Sequence, residues 1–304
     1  MTQPTRLFKN TLGIHALVWT GSWAEDELDR AMALSAEIGY EVIEIPRFDP
    51  TKVNADWFRK RLDAHGLDVV ITSALAWDAD ISSSDPAIAA KGETMLLDMI
   101  SVSRDLDARL LGGILFSALG KYPSGPTAKG REHAIASLRK AADKAESLGL
   151  PMALELVNRY ESNLINTTEQ GLAVLNEVGS SHLGLHLDTY HMNIEEANTA
   201  DAIRQAGDRL GYFHVGDSHR GYAGTGQIDF APIFSALIDI DYQGMITFES
   251  FSSEVLDEGL SNDIAIWRNT WSDSEPLARH AYDFMIEHLN SAERRHRTQT
   301  GQAI

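Results

Sequence analysis

A single (β/α)8 TIM barrel is the α/β fold class that these 304 residues predict, because eight strand-like segments alternate with eight helix-like ones along the whole chain. The connections are short, and no Gly/Ser-rich linker or break in composition divides the chain, so one domain spanning 1–304 fits better than two doubly wound halves. The later strands have one large apolar face and one mixed face, as a barrel wall needs between a helix layer and a filled interior. Four of them also end in an ionisable residue at the same end, where a barrel builds its site.

Taken in order, LGIHALVW precedes a helical pattern over 24–38, YEVIEIP one over 54–65, DVVITSAL one over 86–107, and RLLGGILF one over 131–148. MALELV then pairs with 167–178, LGLHLD with 199–209, YFHVGD with 230–239, and MITFESF with 275–290. Asn54 and Thr167 are placed as N-caps, Gly66 and Gly179 just past helix ends, and Pro86 and Pro232 in first turns. Long loops at 76–85, 117–130 and 251–274 are expected on the active face. The last contains IWRNTW, whose aromatics suit a short helix over the site, a subunit contact, or both, with Trp267 and Trp271 as interface anchors. The polar SAERRHRTQTGQAI, about 291–304, is expected to fray as a tail.

With no cysteine, the chain has no disulfide framework, thiolate metal site or cysteine nucleophile. MTQPTRLFKN lacks the apolar core of a signal peptide, and no segment approaches the roughly 20 apolar residues of a membrane span, so a cytoplasmic protein is expected. A formal net charge of −18 argues against a duplex nucleic-acid partner, whose phosphates need clustered Lys and Arg. No phosphate-binding glycine fingerprint or G-x-S-x-G is present.

The chemistry gathers in the second half. Side chains alternate along a strand, so Ala153 and Glu155, His186 and Asp188, Tyr212 and His214, and Thr247 and Glu249 share the mixed face, while the leucines and phenylalanines between them face helices. A carboxylate at the end of a strand buried on both faces must be paired or bound to metal. Glu155, Asp188, His214 and Glu249, ending four successive strands, therefore form a candidate metal site; carboxylate and imidazole ligands without thiol suit harder divalent cations such as Mn2+, Co2+ or Mg2+, with zinc as an alternative. Glu161 and Arg220 each sit six residues after a proposed ligand, in the loop beyond its strand, and His191 three residues after Asp188. These positions suit substrate-facing groups, with a surface ion pair or a tied-down loop as the alternative. His186 is read as filler beneath Asp188, His15 as a core histidine with a pocket wall as the alternative, Trp19, Trp77 and Phe116 as an apolar wall or plain core, and GYAGTGQ at 221–227 as a turn bringing backbone to the site.

MALELVNRYESNLINT, HLDTYHMNIEE, HVGDSHRGYAGTGQIDF and ITFESF, with IWRNTW, resemble the ketose 3-epimerases of the D-tagatose/D-psicose (D-allulose) 3-epimerase family, within the xylose-isomerase-like TIM barrels. The resemblance implies one divalent metal, Mn2+ first and Co2+ or Mg2+ otherwise, on Glu155, Asp188, His214 and Glu249, and sugar binding by Glu161, His191 and Arg220. It also implies a free ketose substrate such as D-tagatose, D-fructose or L-ribulose, and a homodimer or homotetramer. The implied reaction inverts carbon 3 through an enediolate, with Glu155 and Glu249 as the acid–base pair on opposite faces of the sugar. The rival readings are an aldose–ketose isomerase of the same superfamily, a nuclease of the endonuclease IV type and a non-catalytic sugar-binding protein; the acidic balance opposes the nuclease and the carboxylate pair opposes the binder.

Overall fold

The structure is a computed structural model that describes residues 6–301 other than positions 50 and 257. Residues 1–5 of the N-terminal segment and 302–304 of the polar tail lie outside the described residues. Strands β1 (Leu12–His15), β2 (Val42–Pro46), β3 (Asp68–Leu75), β4 (Leu111–Ala118), β5 (Met152–Glu155), β6 (Leu183–Asp188), β7 (Leu210–Val215) and β8 (Ile246–Phe248) close in sequence order into an all-parallel barrel, β8 pairing with β1. The TIM barrel read from the alternation is the fold.

The helices are α1 (Glu25–Ile38), α2 (Ala55–His65), α3 (Pro86–Asp105), α4 (Ala128–Ser147), α5 (Thr168–Val178), α6 (Thr189–Glu195), α7 (Thr199–Ala206), α8 (Phe230–Asp239), α9 (Glu258–Asp263) and α10 (Ser274–Thr300). Their ends follow the expected chemistry. Asn54 accepts from the Trp57 N–H, Thr167 and Gln170 form a reciprocal capping box, and Gly66 and Gly179 take left-handed conformations just past α2 and α5. Helix α4 starts ahead of the expected residue 131 because the Thr127 side chain caps it, accepting from the Gly130 N–H.

Two differences from the sequence reading concern helices. The short α6 and α9 are additional, and α10 continues to Thr300 where a fraying tail was expected from about 291. The extension is docked rather than free: Ala292 is buried, Arg297 donates to the Leu7 carbonyl, and its Nε pairs with Glu293 at 2.8 Å. Polar composition hid this helix because its charged residues pair along its surface and back to the N-terminal segment.

Alternation in the strands sorts the apolar residues into two cores. Val42, Val70, Leu110, Ala153 and Tyr212 cluster inside the barrel, while Leu154, Leu156, Leu183, Leu185, Phe213 and Phe248 join the large layer between strands and helices. The inner set fills the N-terminal part of the barrel, so polar side chains further along the strands have a solid floor beneath them. Register then fixes their neighbours: Asp188 lies beside His214, Glu155 beside His186, and His214 beside Thr247. Glu249 is held just past β8 by its N–H on the Val215 carbonyl.

Candidate active site

Three carboxylates and one imidazole converge at the C-terminal end of the barrel. One donor atom from each of Glu155, Asp188, His214 and Glu249 lies within 4.8 Å of the others, and all four residues are largely or fully buried. Such a concentration of negative charge away from water needs compensation. Arg220 supplies part of it, with Nη1 2.9 Å from Asp188 Oδ2 and 2.6 Å from Glu249 Oε2. The other Asp188 oxygen caps α6 by accepting the Tyr190 N–H at 2.8 Å. Asp188 thus ends a strand, starts a helix and faces the site.

The donor set fits a divalent cation. Among the described residues His214 Nδ1 is buried without a hydrogen-bond partner and faces Glu249 Oε1 at 3.7 Å, as a nitrogen ligand beside a carboxylate ligand would. Burial disfavours the imidazolium, but Glu44 and Glu249 outweigh it and hold His214 well above its ordinary value, so a cation has to displace a proton. Burial also raises Glu155, with the Glu249 charge adding to it, whereas Arg220 and His214 overcome burial and hold Glu249 well below the usual carboxylate range.

The three expected sugar-binding residues stand around this cluster. The Asn158 backbone N–H and side-chain amide point at His191 Nδ1, at 3.2 and 2.9 Å, and the same amide donates to Glu161 Oε1 at 2.9 Å. His191 Nε2 is thereby turned toward Glu155 at 3.6 Å and Asp188 at 3.7 Å. Burial lowers the His191 pKa, but Glu161, Glu155 and Asp188 lift it to about 8. Donation into Nδ1 opposes that protonation and decides which nitrogen faces the cavity. Arg220 adopts a left-handed backbone with φ of 57°. Its guanidinium stacks 3.9 Å from the Tyr190 ring centroid, and its carbonyl accepts from Ser250 Oγ at 2.6 Å.

A cavity of about 620 Å³ opens above the cluster, lined by Glu155, Glu161, His191, Arg220 and Glu249 among others. His15 lines it rather than serving only as core, and His186 lies fully buried below as the filler expected. Of the two readings of the early aromatics, plain core holds for Trp19 and Phe116, which are buried away from the cavity, while Trp77 borders a separate groove. Leu17, Trp23, Tyr190, Phe251 and residues of the 258–266 segment line the cavity instead. Segment 221–227 does not line the cavity; the N–H groups of Gly224 and Gly226 donate to the side chain of Asp217, whose backbone carbonyl accepts the Arg220 N–H.

The aromatic loop divides into two roles. Helix α9 and Ile264 and Ile266 cover the cavity, packing with Leu17, Phe251 and Leu256. Trp271 is buried and donates from Nε1 to Ser250 Oγ at 2.7 Å, in series with the Arg220 carbonyl, so it is an intramolecular strut and not the interface anchor expected. Trp267 is 73% exposed.

A closed barrel with a buried carboxylate and histidine site at the C-terminal ends of its strands defines the class: the family model described as xylose isomerase-like TIM barrel matches residues 32–288. An L-ribulose 3-epimerase of Mesorhizobium japonicum is 46% identical over 284 residues, which cover 93% of this chain and 96% of that protein. A ketose 3-epimerase of Arthrobacter globiformis is 41% identical over 280 residues, covering 92% and 97%, respectively. Among solved structures, D-allulose 3-epimerase from Methylomonas sp. in complex with D-allulose has 44% identity and a TM-score of 0.89, covering 93% of this chain and 99% of that one. The chain belongs to the ketose 3-epimerases, and it is an isomerase.

Proposed function

We propose that this enzyme holds one divalent ion, Mn2+ in preference to Co2+ or Mg2+, on Glu155, Asp188, His214 and Glu249, and epimerises a free ketose at carbon 3. The observation that carries the proposal is the convergence of four ligand-type atoms within 4.8 Å beneath a cavity of about 620 Å³. A cavity of that size admits a pentulose or hexulose. The names of the relatives point to L-ribulose and D-allulose as first substrates to try.

An ion bound there supplies Lewis-acid charge that stabilises the developing enediolate, typically by several kcal/mol. Proton transfer falls to Glu155 and Glu249, which reach the cavity from β5 and from the end of β8. One removes the carbon 3 proton and the other delivers a proton to the opposite face, which inverts the centre. Arg220 and the Nε2 side of His191 offer donors to the sugar oxygens, and Glu161 accepts a hydroxyl. Incubated with L-ribulose or D-allulose, the enzyme is expected to yield a second ketose; an aldose as the main product, separated by chromatography, would instead mark an aldose–ketose isomerase.

We further propose that the protein works in the cytoplasm as a homodimer or homotetramer. Among the described residues no helix is long and apolar enough to cross a membrane. Trp267 offers the kind of large exposed side chain that anchors interfaces. Trp267→Ala is expected to lower the mass seen by light scattering at low concentration without changing thermal stability by more than about 0.5 kcal/mol. Trp271→Ala is expected to destabilise the fold by roughly 3–5 kcal/mol. An unchanged mass for Trp267→Ala would remove this residue from the interface.

A further inference from the structure

Glu44 on β2 stands across the barrel from His214 on β7, and its two oxygens are where the interior hydrogen bonds meet. Tyr212 donates to Oε2 at 2.6 Å, and Thr72 donates to Oε1 at 2.7 Å. His214 Nε2 lies 2.6 Å from the same Oε2. His15 accepts the Leu17 N–H on Nδ1 at 3.2 Å, which leaves its Nε2–H between Glu44 Oε1 at 3.5 Å and Glu249 Oε1 at 3.7 Å. A carboxylate accepts and does not donate, so the short contact requires a hydrogen on His214 Nε2. A neutral ring with its hydrogen there carries its lone pair on Nδ1, the atom that is buried without a partner and turned toward Glu249.

We propose that Glu44 is a positioning residue for the metal centre: it fixes the tautomer and orientation of His214 so that Nδ1 is the ligand atom. The proposal rests on the metal-dependent reading of the site. Its physical basis is general, since the second nitrogen of a ligating histidine needs a fixed acceptor if the first is to present a lone pair. The four groups around Glu44 come from β1, β3 and β7, so one buried carboxylate gathers side chains from three strands.

Glu44→Gln keeps the shape while removing the charge and replacing one acceptor oxygen with an amide donor. In titrations of metal-stripped protein with Mn2+, the variant is expected to bind about 10- to 100-fold more weakly than the unchanged protein. Its Co2+ complex is expected to show shifted visible absorption bands, a signature that general loosening of the fold would not give. Affinity within twofold and an identical Co2+ spectrum would overturn the proposal. Should the unchanged protein fail to bind Mn2+ at one ion per chain, the metal reading itself falls, which separates the two failures. Should Glu44→Gln fail to fold, the Mn2+-loaded unchanged protein decides by crystallography: Nδ1 on the ion with Nε2 within about 3.2 Å of Glu44 supports the proposal, and Nε2 on the ion overturns it.

Discussion

Glu155→Gln and Glu249→Gln are each expected to lower the turnover of a ketose by roughly 10²- to 10⁴-fold, the usual contribution of a positioned acid or base. Gln keeps the length and one oxygen donor but cannot accept a proton at neutral pH. Both residues also belong to the candidate metal cluster, so lost metal could produce the same fall. Metal content therefore has to be measured on each variant, and the informative protein is one that still holds the ion. In such a protein, each single variant is expected to exchange the carbon 3 proton only of the epimer whose C–H faces its remaining glutamate, while failing to invert. Glu249 has the further task of pairing with Arg220 at 2.6 Å, so its replacement also releases that guanidinium from one of its two carboxylates. A metal-loaded Glu249→Gln enzyme that epimerises at the parent rate would remove Glu249 from the reaction.

Stripping divalent metal with a chelator is expected to abolish activity, and Mn2+ or Co2+ to restore it. The expectation follows from three carboxylates packed against one imidazole, with Arg220 touching Asp188 and Glu249 directly. Because the ion binds the native state and hardly the unfolded one, metal at about 100 times its dissociation constant is expected to add roughly 2.7 kcal/mol of stability. That corresponds to a rise of several degrees in melting temperature at about 2–4 °C per kcal/mol. Full activity in protein shown by elemental analysis to be metal-free would contradict the proposed site.

The candidate carboxylate cluster was legible because a strand's two-residue period leaves no freedom: once Leu154, Leu187 and Phe248 face the helices, Glu155, Asp188 and Glu249 face the interior. Helix starts were legible where caps are local chemistry, as at Asn54 and Thr167. What escaped depends on contacts across the chain. Glu44 meets His214 over a separation of 170 residues, and no local pattern distinguishes it from any other inward carboxylate. Asn158 sits inside the quoted VNRY segment, yet its grip on both Glu161 and His191 appears only when α6 folds back beside β5. Composition could not separate Trp267 from Trp271, since both lie in one aromatic loop and differ only in which side of it meets Ser250. Helix α6 was hidden because Asp188 had already been read as a strand end, and one residue performs both tasks.

Carbon 3 inversion by proton exchange is tested most directly by incubating the Mn2+-loaded enzyme with L-ribulose or D-allulose in D2O and examining the separated products by NMR. The expected result is the carbon 3 epimer of the ketose with deuterium at carbon 3, and the hydrogens on carbon 1 unexchanged. Deuterium at carbon 1 with formation of an aldose, or recovery of the unlabelled starting sugar from metal-loaded protein, would contradict the assignment.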